Sequence, residues 1–96
     1  MAVRHYTFSL TTAASALDIG TFDKHGSHPA TIIFNVDKLA SGTVMIGGST
    51  VSDTDYGIHL DADDQFVISS HYSGDGGVFY ARAKAGTMVL HCLVID

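Results

Sequence analysis

The sequence lacks glutamate and tryptophan, and it holds one cysteine, one proline, three lysines and two arginines. Clustered Lys and Arg are needed to neutralise phosphates, so we expect neither nucleic-acid binding nor adhesion to anionic membranes. Cys92 cannot form an internal disulfide, so no oxidising compartment is indicated. The absence of Glu and Trp also disfavours a sugar-cleaving cleft, which uses paired carboxylates.

Long apolar runs are also missing. No stretch approaches the roughly 18–20 residues that cross a bilayer. Residues 1–20 do not follow the plan of a signal peptide, because Thr11, Thr12 and Ser15 break the uncharged run and Asp18 follows it. We therefore expect a protein that is synthesised in the cytoplasm.

The residues that are abundant favour strands and turns. The chain has ten Asp, a net charge of −5, and many Thr, Ser, Val, Ile and Gly. Asp favours turns, and β-branched residues favour strands. With 96 residues and 46% hydrophobic content, residues 1–96 are predicted to form a single β-sandwich domain. A domain this small gains from packing against neighbours, which favours oligomerisation.

Eight segments rich in β-branched and aromatic residues alternate with stretches of turn-forming residues. The fold class predicted from them is all-β, a single antiparallel β-sandwich or jelly-roll-like barrel of about eight short strands. For residues 11–18, which overlap the second predicted strand, a single helical turn is the alternative. The predicted strands are Val3–Leu10, Ser15–Ile19, Ala30–Val36, Thr43–Ile46, Tyr56–Leu60, Gln65–His71, Val78–Lys84 and Thr87–Ile95.

Turn residues predict two hairpins and one exposed loop. The acidic turn 61–64 suggests that Tyr56–Leu60 pairs with Gln65–His71. Ala85 and Gly86 suggest that the last two strands pair with each other. The polar stretch 23–29, which carries the only proline, is predicted to be an exposed loop.

The final strand, Thr87–Ile95, is apolar on both faces and only His91 interrupts it. An antiparallel strand of this kind is either central to a layered core or covered by another chain.

Six histidines and two acidic clusters raise the question of a metal site. His25 and His28 lie near Asp23, but spacing names no third and fourth ligand, so solvent-exposed loop histidines are expected. Calcium would use the acidic turns 53–55 and 61–64, yet the EF-hand pattern fails at two positions and acidic turns are the preferred interpretation. We expect no metal and no cofactor.

The sequence contains no pattern that predicts a catalytic arrangement. His91 and Cys92 are adjacent, but neighbours on a strand point to opposite faces and cannot act as a thiolate–imidazole pair. There is no Gly-x-Ser-x-Gly elbow, and the glycine-rich stretches at 47–48 and 74–77 match no phosphate-cradling pattern. We expect no enzyme, with no catalytic and no metal residue.

From Gly42 onward, the order of motifs resembles that of small bacteriophage virion proteins. The motifs are the strand and turn Gly42–Ser52, the turn-bearing segment 56–66, and the hairpin-like pair 78–83 and 85–95. The resemblance implies a short β-sandwich module. This chain departs from the usual pattern where Asp63-Asp64 replace Gly-Glu. The structural motif residues are Gly47, Gly48, Val51, Gly57, Leu60, Tyr80 and Gly86.

The resemblance implies specific roles for those residues. Gly47 and Gly48 would supply a positive φ or a bulge, and Val51 would anchor the crossing loop to the core. Gly57 and Leu60 would shape the turn of the segment that follows. Tyr80 and Gly86 would pack and close the last hairpin.

The resemblance also implies a non-enzymatic virion structural protein, most simply a capsid cement or decoration protein that stabilises the major capsid shell. Its partners would be the major capsid protein or other virion proteins, and it would self-associate into a homo-oligomer located in the virion. The alternatives are a head–tail or tail adaptor or fibre-associated protein, and a calcium- or carbohydrate-binding module. In the last case Tyr72 or Phe79 would stack on sugar.

Overall fold

A computed structural model describes residues 3–19, 21–22, 30–39, 41–70, 74–75 and 79–95, and all regular structure within them is β. The strands are β1 (Val3–Leu10), β2 (Ser15–Ala16), β3 (Thr21–Phe22), β4 (Ala30–Val36), β5 (Thr43–Gly47), β6 (Ile58–Asp61), β7 (Gln65–Ser70), β8 (Gly74–Asp75), β9 (Tyr80–Ala83) and β10 (Met88–Ile95). Nothing in the described ranges is a helix that could span a membrane.

Eight of these strands form two four-stranded antiparallel sheets. The first sheet has the order β1-β10-β4-β7 and the second has the order β2-β9-β5-β6. The chain crosses between the sheets after β1, β4, β6 and β9 and, by way of β3 and β8, after β2 and β7, which is the jelly-roll arrangement of two facing sheets. The remaining two strands, β3 and β8, form a short ribbon. The predicted all-β sandwich is confirmed.

The core lies between the two sheets and follows from the period of two in each strand. Burial alternates along β4 and β10, so their even-numbered residues point inward. Phe34 is fully buried at the centre and packs edge-on against Phe79, with ring centroids 5.6 Å apart. Val44, Ile46 and Leu60 face it from the second sheet.

Both predicted hairpins are wrong. β6 pairs with β5 in the second sheet, whereas β7 pairs with β4 in the first. In the same way β9 pairs with β5, and β10 pairs with β1 and β4. The turn residues were located correctly, but short turns also connect strands that cross from one sheet to the other. Turn chemistry therefore shows where the chain reverses, not which strand it pairs with.

Several strand boundaries differ from the predicted ones. Only Ser15–Ala16 of the segment 15–19 is a strand, although Leu17 and Ile19 are fully buried. The alternative helical turn over 11–18 does not form. The strand predicted from Tyr56 begins at Ile58. The loop 23–29 and the strand ends at His71 and Val78 lie outside the described residues.

Candidate functional site

The outer face of the first sheet carries no charged strand residue. It consists of the side chains that alternate with the core-facing ones, and Val67 and Val3 are 54% and 65% exposed there. None of its residues is Asp, Lys or Arg, although the chain has 15 such residues. We call this set the outer face: Val3, His5, Thr7, Ser9, Thr31, Ile33, Asn35, Gln65, Val67, Ser69, Val89, His91, Leu93 and Ile95.

Strand register places three apolar members of the outer face in one row, next to His5 of β1, while Val3 and Ile95 lie opposite each other in a neighbouring row. Leu93 of β10 lies opposite Ile33 of β4, and Ile33 lies opposite Val67 of β7. The row therefore crosses three neighbouring strands and ends at the edge of the sheet. The next row, His91, Asn35 and Gln65, is polar. An uncharged apolar row with a polar border is typical of a protein contact surface.

The second sheet differs on its own outward side. His59 and Arg82 flank Met45 in register, and Met45 is only 2% exposed beneath them. Asp61 accepts a hydrogen bond from the Thr43 hydroxyl at 2.8 Å. This sheet thus presents charged side chains to solvent, which favours hydration over docking.

A hydrogen-bonded triplet lies at one end of the outer face. A carboxylate only accepts, so His91 Nε2 donates to Asp37 Oδ2 at 3.0 Å. In the neutral ring, Nδ1 then accepts from the Thr7 hydroxyl at 3.3 Å. Thr7 is on β1, His91 on β10 and Asp37 directly after β4, so the triplet connects three strands. It lies on a flat face, and we interpret it as a structural connection.

The pKa of Asp37 is lowered. The largest cause is the hydrogen bond from His91, and the second is the backbone N–H of Leu39, which donates to Oδ1 at 2.8 Å. Both donors favour the charged carboxylate. Asp37 therefore supports the end of β4 most strongly when it is ionised.

An apolar groove opens where the edge strands β6 and β7 of the two sheets face each other. Its volume is about 510 Å³. Ile58, Phe66 and Ile68 line it and are only partly buried, although they pack against the core. Ile46, Phe79 and three glycines complete the lining. The sandwich is thus incompletely filled on this side.

A β-bulge fixes which backbone groups of β7 face outward. Asp63 N–H donates to Val36 O and Val36 N–H donates to Asp64 O, both at 3.1 Å, so two residues oppose one. Antiparallel ladders alternate, so Phe66 and Ile68 exchange hydrogen bonds with their partners on β4. The N–H and C=O groups of Gln65, Val67 and Ser69 then point away from β4, where no described strand pairs with them.

Asp63 has a φ of 64°. It is the third residue of the turn 61–64, which is closed by the bond from Asp64 N–H to Asp61 O at 3.0 Å. Glycine is favoured at this conformation. In the virion proteins that this sequence resembles, Gly-Glu is usual where this chain has Asp63-Asp64. The structure shows that Asp63, which stands in place of the glycine, is the residue with positive φ.

Three of the motif residues form a compact corner after β5. Gly57 N–H donates to Ile46 O at 3.0 Å. A Cβ on Gly57 would lie 3.1 Å from that oxygen, and a Cβ on Gly47 would lie 3.3 Å from Val51 Cγ2. Val51 is buried, as expected of an anchor. Neither glycine has a positive φ. The close approach of neighbouring atoms, which leaves little room for a Cβ, therefore explains why glycine occupies positions 47 and 57.

The other motif residues are placed separately. Gly48 has neither positive φ nor a neighbour that would exclude a Cβ. Leu60 belongs to the core, while Tyr80 is half-buried on β9 opposite Gly47. Gly86 has a φ of 64° in the turn between β9 and β10. It closes a crossing between sheets and not the predicted hairpin.

The residues considered for chemistry are not brought together. Within the described ranges there is no group of three or more His, Cys, Asp or Glu side chains that could hold a metal. Asp61 and Asp64 use oxygens to accept bonds from Thr43 and from the Asp61 backbone. Asp23, His25 and His28 lie outside the described residues. Cys92 is buried, and burial raises the pKa of its thiol to about 11.

The stacking platform considered for sugars is also incomplete. Phe79 is half-buried and packs against Phe34 at the base of the groove. It therefore does not present a flat exposed ring. Tyr72 lies outside the described residues.

Sequence reasoning did not single out Asp37, and it did not predict the positive φ of Asp63. Asp37 directly follows a predicted strand, but only register shows that it meets His91, which is 54 residues away. Asp63 was noted as a departure from a motif, and that departure was the available signal for positive φ.

Comparisons with known proteins give a fold and no family. No family model and no curated protein matches the chain. A solved structure described as "Bacillus endospore appendages form a novel family of disulfide-linked pili" is similar, with a TM-score of 0.52 and 16% identity. The match covers 97% of this chain and 83% of that one. At this identity the similarity shows a shared all-β fold.

Proposed function

We propose that this chain is a non-enzymatic structural subunit of a bacteriophage particle, a decoration protein that binds the major capsid shell through the outer face of its first sheet. The observation that carries the proposal is the uncharged apolar row Leu93, Ile33 and Val67 on a chain of net charge −5. The succession of motifs from Gly42 onward supports it by resemblance.

The distribution of charge supports this orientation. The acidic residues 53, 55, 61, 63 and 64 are exposed in the segments that flank β6. Asp53, Asp55 and Asp61 lie on the side of the second sheet and would remain solvated when the outer face is covered. Burying the outer face removes apolar area from water at about 25 cal/mol per Å², and Asp37, the carboxylate at one end of the face, keeps its hydrogen bond from His91. Docking through the second sheet would instead desolvate Arg82 and Asp61.

Particles prepared with and without this protein test the proposal. Purified protein should bind back to depleted particles in a saturable manner, with a copy number in fixed ratio to the major capsid protein, and should raise their heat resistance. Leu93→Gln should weaken binding by at least about tenfold, which corresponds to about 1.4 kcal/mol. Tyr56→Gln, which removes an exposed ring next to His59 beyond the second sheet, is the matched control and should bind normally.

The location of the protein separates the alternatives. Electron density over the shell supports a decoration protein. Density only at the neck or tail would overturn that role in favour of the adaptor or fibre-associated alternative. Absence from particles, together with calcium-dependent binding to immobilised sugars, would overturn the virion proposal altogether.

A second candidate is a subunit of a self-assembled filament, because the similar solved structure is of pili. This chain would have to polymerise without disulfides through its cysteine, since Cys92 is 2% exposed and faces the core. Spontaneous fibres of the purified protein in electron micrographs would favour this candidate.

A further inference from the structure

We propose that two copies of this chain pair through β7, forming one continuous eight-stranded sheet across a two-fold axis at Val67. The inference concerns the edge of the sheet and holds whether or not the protein belongs to a virion. The occupant of the groove beside β7 is then the same strand of a second copy.

The edge of β7 has the features of a strand that pairs with another chain. Gln65, Val67 and Ser69 direct outward from the sheet backbone groups with which no described strand pairs, as the bulge at Asp63 requires. The described strand contains no charged residue and no proline, the devices by which proteins protect sheet edges. Its groove side carries Phe66 and Ile68, and its outer side carries Val67 between Gln65 and Ser69.

Self-pairing in one register satisfies all of these groups. When two antiparallel copies meet with Val67 opposite Val67, Gln65 lies opposite Ser69 on both sides of the axis. Each such pair exchanges two backbone hydrogen bonds, so about six form. A shift of two residues in one direction would place Gln65 opposite residue 71, outside the described residues, and a shift in the other direction would place Ser69 opposite Asp63 in the turn.

The same register matches side chains on both faces. On the groove side Phe66 lies opposite Ile68 of the second copy, which is a favourable aromatic and β-branched pair. These side chains would cover the exposed parts of Ile58 and Ile68 in the groove. On the outer face the row Leu93, Ile33 and Val67 continues into Val67, Ile33 and Leu93 of the second copy.

Pairing would also join the outer faces of the two copies. Four strands spaced about 4.8 Å apart and seven residues long at about 3.3 Å each give a face of roughly 440 Å² in one copy, so the paired copies would present roughly twice that area.

Cysteine cross-linking tests the register directly. Val67→Cys places two thiols in a directly opposed pair, with Cα atoms about 5.5 Å apart, which a disulfide can span. We expect mild oxidation of the folded protein to give a covalent dimer. Ser69→Cys alone and Gln65→Cys alone should not cross-link, whereas a mixture of the two should. The buried Cys92, whose thiol pKa is about 11, does not interfere.

Oligomeric state in solution completes the test. Light scattering from 5 to 200 µM should show a dimer, and Val67→Lys should weaken dimerisation by at least about tenfold while circular dichroism stays unchanged. The inference is overturned if the protein is monomeric throughout this range and Val67→Cys does not cross-link. It is equally overturned by an open-ended series of oligomers, which would indicate β7 joining a different edge. Particle binding by a strictly monomeric protein would leave the proposed function standing.

Discussion

The two edges of the first sheet are built differently. At the β1 edge, Leu17 and Ile19 are fully buried, and the Arg4 guanidinium donates to Ile19 O at 3.0 Å and to the Tyr6 hydroxyl at 3.1 Å. Backbone bonds from Leu17 to Phe79 and from Ala83 to Thr11, both 2.8 Å, close the corner between the sheets. At the β7 edge the corner stays open as an apolar groove.

The contrast shows how one small sandwich combines stability with binding. An inward-pointing charge such as Arg4 discourages strand addition, because it would be desolvated when another chain pairs beside it. β7 has no such residue, and its inner side chains Phe66 and Ile68 are only partly buried. The closed β1 side therefore contributes to folding, whereas the open β7 side retains apolar area for another chain.

Proline substitutions at neighbouring positions of β7 should give the largest effect. Ile68→Pro removes a hydrogen bond to β4 and a core-packed side chain, so we expect a loss of about 4 kcal/mol in the free energy of unfolding. Val67→Pro removes an N–H that faces away from β4, so the monomer should lose only about 1 kcal/mol. Urea unfolding monitored by circular dichroism measures both. Equal losses for the two variants would contradict the assigned alternation.

The two variants also differ in their expected assembly. Val67→Pro should remain folded and monomeric, because the central hydrogen bonds of the proposed pair cannot form. A folded Val67→Pro variant that still dimerises would place self-association at another surface.

The bulge at the start of β7 predicts a smaller effect at Asp63. Its φ of 64° strains a residue with a Cβ, so Asp63→Gly should raise the free energy of unfolding by about 0.5 kcal/mol and Asp63→Ala should lower it by about 1 kcal/mol. Asp64→Gly is the control and should destabilise, because Asp64 Oδ2 accepts the N–H of Asp61 at 2.9 Å. Thermal unfolding ranks the three variants. Destabilisation by Asp63→Gly would show that the aspartate side chain contributes more than its backbone strain costs.

Local chemistry was sufficient to predict most of the strands. Ala30–Val36 and Gln65–Ser70 begin where the β-branched and turn patterns place them, because those patterns depend only on neighbours in sequence. The two-residue strands β3 and β8 were missed. A pair so short has no period of its own, and Gly74 lies in the most glycine-rich stretch of the chain.

Strand pairing could not be predicted in the same way. β4 and β10 pair although more than fifty residues separate them in sequence. β9 and β10 are consecutive in sequence but lie in opposite sheets. The apolar residues on both faces of β10 predicted a strand that is central to a layered core or covered by another chain, and β10 lies between β1 and β4 within its sheet. The uncharged outer face became visible only after register had aligned Val67 with Ile33 and Leu93.

The smallest expected effect concerns the triplet that connects β1, β10 and the end of β4. The lowered pKa of Asp37, caused first by the hydrogen bond from His91 and then by Leu39 N–H, means that the folded state favours the ionised carboxylate. Such a group stabilises the fold above its unfolded pKa, near 3.9, and this contribution is lost as pH falls through the lower folded pKa. Stability should therefore decline with acid partly through Asp37.

Asp37→Asn isolates that contribution. The parent protein should be more stable than the variant at about pH 6, and the difference should shrink as pH falls from about 5 to about 3. Asp53→Asn, in the exposed acidic loop, provides the control. Urea unfolding at each pH gives the comparison. A difference that stays constant with pH would mean that Asp37 supports the strand end by packing and not by its charge.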